Sequence, residues 1–80
     1  MNNTLIRFVE DEILRGMATI SSEEDLLLSG LVDSIGVMRL VAFIEETFEI
    51  QVPPEDVTIE SFSTVDAISS YVAGRQQTHG

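Results

Sequence analysis

Between Ser34 and Phe48 the apolar residues Val37, Leu40, Val41, Ile44 and Phe48 fall at i, i+3, i+4, i+7 and i+11. That spacing lines one side of an α-helix and does not suit a strand, whose faces alternate with a period of two. Two shorter stripes repeat the signal. Leu5, Phe8, Val9 and Ile13, flanked by Ile6 and Leu14, predict a first helix over 4–15, while Val65, Ala67, Ile68 and Val72, with Tyr71 alongside, predict a last one over 64–73. Alternation of the strand kind is nowhere sustained. The chain is therefore expected to be all-α, a small four-helix bundle of three main helices and one short one with a long first loop.

Local punctuation sets the expected boundaries. Thr4 can cap the first helix, and Gly16 follows Arg15 as a stop. Residues 16–33 form a connection much longer than most helix–helix links. In it, Ser21-Ser22-Glu23-Glu24 has the pattern of a capped turn, and Leu26, Leu27 and Leu28 can anchor the loop to the core. Asp33 is a strong N-cap for the second helix, with Ser34 in its first turn. Pro53-Pro54 blocks helix until Pro54 itself, so one short turn is expected around 55–60, with Ile59 and Phe62 plugging the core. Ser63 is placed to cap the last helix, with Asp66 in the reciprocal position, and Gly74 to end it. Residues 1–74 thus read as one domain, and 75–80 as a flexible polar tail holding the lone His79.

Eighty residues bury only about 60% of the surface of the unfolded chain, so the core must be simple. An apolar content of 44% is enough to build one. Cysteine is absent, which excludes disulfides and thiolate metal sites. Glu23-Glu24-Asp25 lacks the regular acid spacing and central glycine of a calcium loop, so no metal is expected. Fourteen acidic residues against four arginines give a net charge of −10. Such a field repels nucleic acid and anionic membranes and favours basic protein surfaces. No segment has the apolar length of a membrane span, and the N-terminus has no signal pattern, so the cytoplasm is the expected location.

Ser34 is the residue on which chemistry is expected. A hydroxyl in the first turn of a helix lies beside unpaired backbone N–H groups and the positive end of the helix dipole, a setting that favours a phosphate ester. A second apolar set, Ile35, Met38 and Ala42, runs from it along a different side of the same helix. This set is either a docking surface or a broad buried face covered by the preceding loop. Arg39 stands beside it as an isolated positive charge. Glu45, Glu46 and Glu49 place negative charge at the helix C-terminus, where the dipole disfavours it.

The order of helix, long loop, Asp-Ser, long helix, Pro-Pro-Glu-Asp turn, short helix and final helix resembles the carrier proteins of fatty acid, polyketide and nonribosomal peptide synthesis. The resemblance covers roughly residues 4–74. Its specific part is Gly30-Leu31-Val32-Asp33-Ser34-Ile35 continuing into Arg39-Leu40-Val41-Ala42-Phe43-Ile44-Glu45-Glu46-Thr47-Phe48. It implies that Ser34 is esterified with 4′-phosphopantetheine by a phosphopantetheinyl transferase. The terminal thiol of that arm would then hold an acyl or aminoacyl group as a thioester. It also implies that Asp33 caps the helix and helps the transferase, and that Ile35, Met38, Arg39 and Ala42 face partner enzymes. The chain has no cysteine and no general base near Ser34, so a carrier and not an enzyme is expected, its reactive thiol coming from the prosthetic group.

Two departures refine this. Gly30 precedes Ser34 by four residues instead of three, which looks like free-standing carriers served by a separate adenylating ligase, D-alanyl and other aminoacyl carriers among them. Gly36 and Arg39 stand where fatty-acid carriers have acids. The resemblance therefore implies a stand-alone monomeric carrier in a specialised pathway, of the nonribosomal peptide or polyketide type, loaded by an adenylating ligase and used by tailoring or condensing enzymes. The alternatives are an acyl carrier of fatty acid synthesis and a small acidic interaction domain with no prosthetic group.

Overall fold

The computed structural model describes residues 1–77, and His79 lies outside them. Helix α1 begins at Asn2, ahead of the expected cap at Thr4, and runs as Asn2–Phe8. The reason is tertiary. Asn2 Nδ2 donates to Asp66 Oδ1 at 2.9 Å, and the Ser69 hydroxyl donates to Asn2 Oδ1 at 2.6 Å. Both partners belong to the last helix, α4 (Val65–Gln77). From Val9–Ile13 the chain continues α1 as a wider turn, in which Leu14 N–H reaches back five residues to the Val9 carbonyl at 2.8 Å. Such widening re-aims side chains. Here Glu10 Oε2 accepts the Ile20 N–H at 2.8 Å, tying the start of the loop to the helix. The helix ends through two left-handed residues, Arg15 (φ 54°) and Gly16 (φ 73°).

The long loop is fastened across the molecule. Leu26 N–H donates to the Ser63 carbonyl at 2.7 Å, and Asp66 N–H to the Ser22 carbonyl at 2.9 Å. The Ser21–Glu24 pattern does make a turn, with Ser21 N–H on Glu24 Oε1 and Glu24 N–H on the Ser21 carbonyl. Of the three consecutive leucines only Leu26 is fully buried; Leu27 is half-buried, and Leu28 is 75% exposed. Neighbouring residues in a turn cannot all face the core, and the Asp25 carboxylate, accepting the N–H groups of both Leu27 and Leu28, holds the turn that separates them.

Helix α2 spans Ser34–Phe48 and buries Leu40 and Ile44, with Val37, Val41 and Phe48 packed at the margin of the core. It ends at Glu49, in the left-handed region at φ 55°. Glu45 is used within the fold: its Oε2 accepts the Val52 N–H at 2.9 Å as the chain turns back.

The next connection holds two turns where one was expected. A 3-10 turn at Pro54–Asp56 is followed by the short helix α3 at Ile59–Phe62. Between them Thr58 N–H bonds the Asp56 carbonyl at 3.0 Å, and Val57 (φ −82°, ψ 83°) has the angles of an inverse γ-turn. Thr58 caps α3 by accepting the Ser61 N–H at 3.2 Å. Phe62 is buried, but Ile59 is 57% exposed and does not plug the core. Helix α4 is capped by Thr64, which accepts the Ala67 N–H at 3.0 Å. Ser63 sits one residue too early, its carbonyl committed to Leu26. The helix runs on through Gly74 to Gln77, since a glycine that keeps helical angles weakens a helix without ending it.

Helix α4 packs against α1, α2 and α3. Leu5 and Val9 of α1, Leu40 and Ile44 of α2, Phe62 of α3 and Val65, Ile68 and Val72 of α4 meet in one core, sealed by Ile20, Leu26 and Val32 of the loop and by Ile50 and Val52. The fold is an all-α four-helix bundle, with no strand among the described residues. None of its helices is long and apolar enough to cross a membrane. An unpaired carboxylate in this core costs several kcal/mol against a total stability of about 5–15 kcal/mol. Ile44→Asp is expected to abolish cooperative unfolding in a circular-dichroism melt, whereas Val41→Asp, at the core margin, should lower Tm and leave a folded protein.

Candidate functional site around Ser34

The start of α2 is built by Asp33 and Gly36. Asp33 has extended backbone angles, and its Oδ1 accepts the Gly36 N–H at 2.8 Å while its carbonyl accepts the Val37 N–H at 2.8 Å. Gly36 is buried where the helix touches the loop and α1. A Cβ there would lie 2.9 Å from Val32 Cγ1 and 3.4 Å from Ile13 Cγ2. Glycine at this position is thus a packing requirement. It lets the first turn of α2 close against Val32 and Ile13 and so directs the next side chains outward.

Ser34 is exposed. Asp33 takes up the N–H of Gly36, whereas the N–H groups of Ser34 and Ile35 belong to the set that a helix start leaves without an intrahelical partner. One turn and two turns along the same side stand Met38 and Ala42, both exposed, with Ile35 beside them; Ile35 and Met38 are 69% and 71% exposed. The loop does not cover this stripe. Arg39 is not isolated: its Nη2 lies 3.9 Å from Glu12 Oε1 on the widened turn of α1. Both groups are solvent-exposed, so the pair holds weakly, yet it draws the charge toward α1.

A groove of about 310 Å³ adjoins Ser34, lined by Leu27, Val37, Met38, Val57, Thr58, Ile59 and Phe62. Of its outer wall, Val57 to Ile59, the sequence singles out Ile59 alone, and that as a core plug. The signal was available in Thr58-Ile59-Glu60-Ser61, where a threonine precedes a helical turn and marks a second helix start after Asp56. A larger concavity of about 680 Å³ lies at the other end of α2, between Glu45, Glu46, Pro53, Pro54 and Arg75. Ser34 does not line it. No group of acids or histidine suited to holding a metal occurs among the described residues.

An exposed serine opening a long helix over an apolar groove, on a small acidic bundle, is the architecture of a domain that presents a tethered group. The family described as "Phosphopantetheine attachment site" matches residues 3–72. The chain belongs to this family of phosphopantetheine-binding carrier proteins; it is a carrier and not a catalyst, and its prosthetic group is covalently attached 4′-phosphopantetheine. Its relatives include proteins named D-alanyl carrier protein. That of Streptococcus suis is 28% identical over 72 residues, 90% of each chain, and that of Abiotrophia defectiva 32% identical over 66 residues, 82% of this chain and 78% of the relative. A D-alanyl carrier protein of Streptococcus uberis is 39% identical over 46 residues, 58% of each chain.

The close contact at Gly36 makes a prediction. Alanine there gains up to about 1 kcal/mol of helix propensity but pushes on Val32 Cγ1 and on the capping Asp33 Oδ1, an overpacking cost of about 1–3 kcal/mol. Gly36→Ala should therefore lose stability in urea unfolding, against the usual gain for this change in a helix.

Proposed function

We propose that Ser34 carries the phosphopantetheine arm and that the protein is a stand-alone aminoacyl or small-acyl carrier loaded by an adenylating ligase. The observation that carries this is the exposed hydroxyl at the first position of α2, in a chain whose match to the attachment family runs from residue 3 to 72. The site fits the group. A phosphodiester on Ser34 Oγ would face the unpaired N–H groups and the dipole of α2, with the Asp33 cap already satisfied by Gly36. The apolar groove beside it offers contact for an arm. When bound, the arm supplies a thiol that holds the cargo as a thioester, while the chain's own residues anchor it and present it.

The D-alanyl carriers among its relatives, together with the Gly-Leu-Val-Asp-Ser spacing, favour an amino acid as cargo, with D-alanine the first to try. A role with fatty acid synthase enzymes is disfavoured by Gly36 and Arg39, since neither offers an acid to a basic partner. Nonribosomal peptide and polyketide enzymes remain downstream users consistent with such a carrier. Ile35, Met38 and Ala42 form the surface on which transferase and ligase dock, with Arg39 at its margin, and Asp33 aids the transferase from beside the serine. The domain takes in residues 1–74 and the rest of α4 to Gln77, works in the cytoplasm and is a monomer when alone.

Incubation with coenzyme A and a broad-specificity phosphopantetheinyl transferase should add one phosphopantetheinyl unit to the intact mass, and Ser34→Ala should add none. An unmodified wild-type protein, or an equally modified variant, contradicts the assignment. Met38→Glu should slow this transfer by about tenfold or more, as loss of a central contact does at an interface, and leave the helical circular-dichroism spectrum intact. A collapsed spectrum would place Met38 in the core instead.

A further inference from the structure

The outer wall of the groove is not held by burial. Val57 and Ile59 are 36% and 57% exposed, and the bonds within the turn are local: Asp56 N–H to the Pro53 carbonyl at 2.9 Å and Val57 N–H to the Pro54 carbonyl at 3.1 Å. A long-range bond ties it down. Tyr71 of α4, the single tyrosine of the chain, donates its hydroxyl to Asp56 Oδ2 at 2.6 Å. Its ring tilts against Phe62, with centroids 5.7 Å apart, and Phe62 lines the groove from within.

Asp56 passes the constraint on through its backbone. The residue whose carboxylate is gripped by Tyr71 also accepts the Thr58 N–H on its carbonyl, which closes the turn at Val57 and sets where Thr58 and Ile59 stand. Thr58 in turn caps α3. A short bond from a phenol to a carboxylate is charge-assisted and worth more than an ordinary one. Burial pushes the Tyr71 pKa up to about 12, with the hydrogen bond and charge of Asp56 adding to the rise, so the phenol keeps its proton and remains a donor at neutral pH.

We propose that Tyr71 is a positioning residue for the prosthetic arm: by gripping Asp56 it holds Val57, Thr58 and Ile59 as a fixed wall facing Ser34 across the groove. Without the grip the wall keeps its local turns but loses its fixed distance from α2. This rests on Ser34 as the attachment point. Apart from Ser34, Thr58 is the one polar residue lining the groove among the described residues, so the same brace fixes where its hydroxyl stands.

The test compares wild type with Tyr71→Phe, which keeps the ring against Phe62, and with Asp56→Ala, each before and after transfer of the arm from coenzyme A. Loading is followed by intact mass and the backbone by amide relaxation and chemical shifts. Order parameters at Val57, Thr58 and Ile59 are expected to fall from about 0.85 to below about 0.6 in both variants while Leu40 and Ile44 stay near 0.85. The shifts that the arm induces at Thr58 and Ile59 in wild type should be lost. A uniform fall that includes Leu40 and Ile44, an unchanged wall, or arm-induced shifts that persist in both variants would each overturn the role of Tyr71 while leaving the attachment intact. Failure of the wild type to gain the arm's mass would overturn the attachment and this proposal together.

Discussion

Helix α2 can offer Ser34 to solvent because Leu40 and Ile44, about two and three turns further along and on another side, are locked in the core shared with Val65, Ile68 and Val72. Burying each such side chain contributes about 1.5–3 kcal/mol, a large fraction of the stability of a domain this small. Rotation of α2 about its axis would expose that strip, so the rotation is fixed. Fixing it also decides which residues point outward, namely Ser34, Ile35, Met38 and Ala42. The exposed stripe is thus the solvent-facing counterpart of the core packing.

The rest of the molecule secures the ends of that helix. Asp33 and Gly36 bring its first turn against Val32 and Ile13, and Glu45 draws the chain back at the other end by taking the Val52 N–H. The long loop behaves as part of the frame. Its bonds from Leu26 to Ser63 and from Ser22 to Asp66 join it to the α3–α4 corner, so that Leu27 enters the groove from one side as Val57 and Ile59 enter from the other. Acidity serves the fold itself: Glu10, Glu24, Asp25, Asp33, Glu45, Asp56 and Asp66 all accept hydrogen bonds within it.

Two helix starts drawn from local rules moved for a tertiary reason. Thr4 lost the start of α1 to Asn2 because Asn2 bonds Asp66 and Ser69 from the far end of the sequence. Ser63 lost the cap of α4 to Thr64 because its carbonyl receives Leu26. Ile59 and Leu28 lie at exposed turns although both are large and apolar; hydrophobicity alone does not say which side of a one-turn helix or a tight loop is inward. Arg39 looks solitary along α2 and is paired only because α1 crosses nearby.

What the amino-acid order determined by itself was periodic or local: an all-helical fold with no strand among the described residues, the Asp33 cap, the buried strip of α2 and the place of Ser34 at its start. Those features depend on residues three or four apart, and their physics is written in that spacing. The groove, the wall from Val57 to Ile59, the Tyr71–Asp56 bond and the close approach at Gly36 were decided only when the chain folded. The groove, the Tyr71–Asp56 bond and the approach of Gly36 to Ile13 join residues distant in sequence, and a hydrogen bond or a van der Waals contact exists only where the packing of the core has already brought its two halves together.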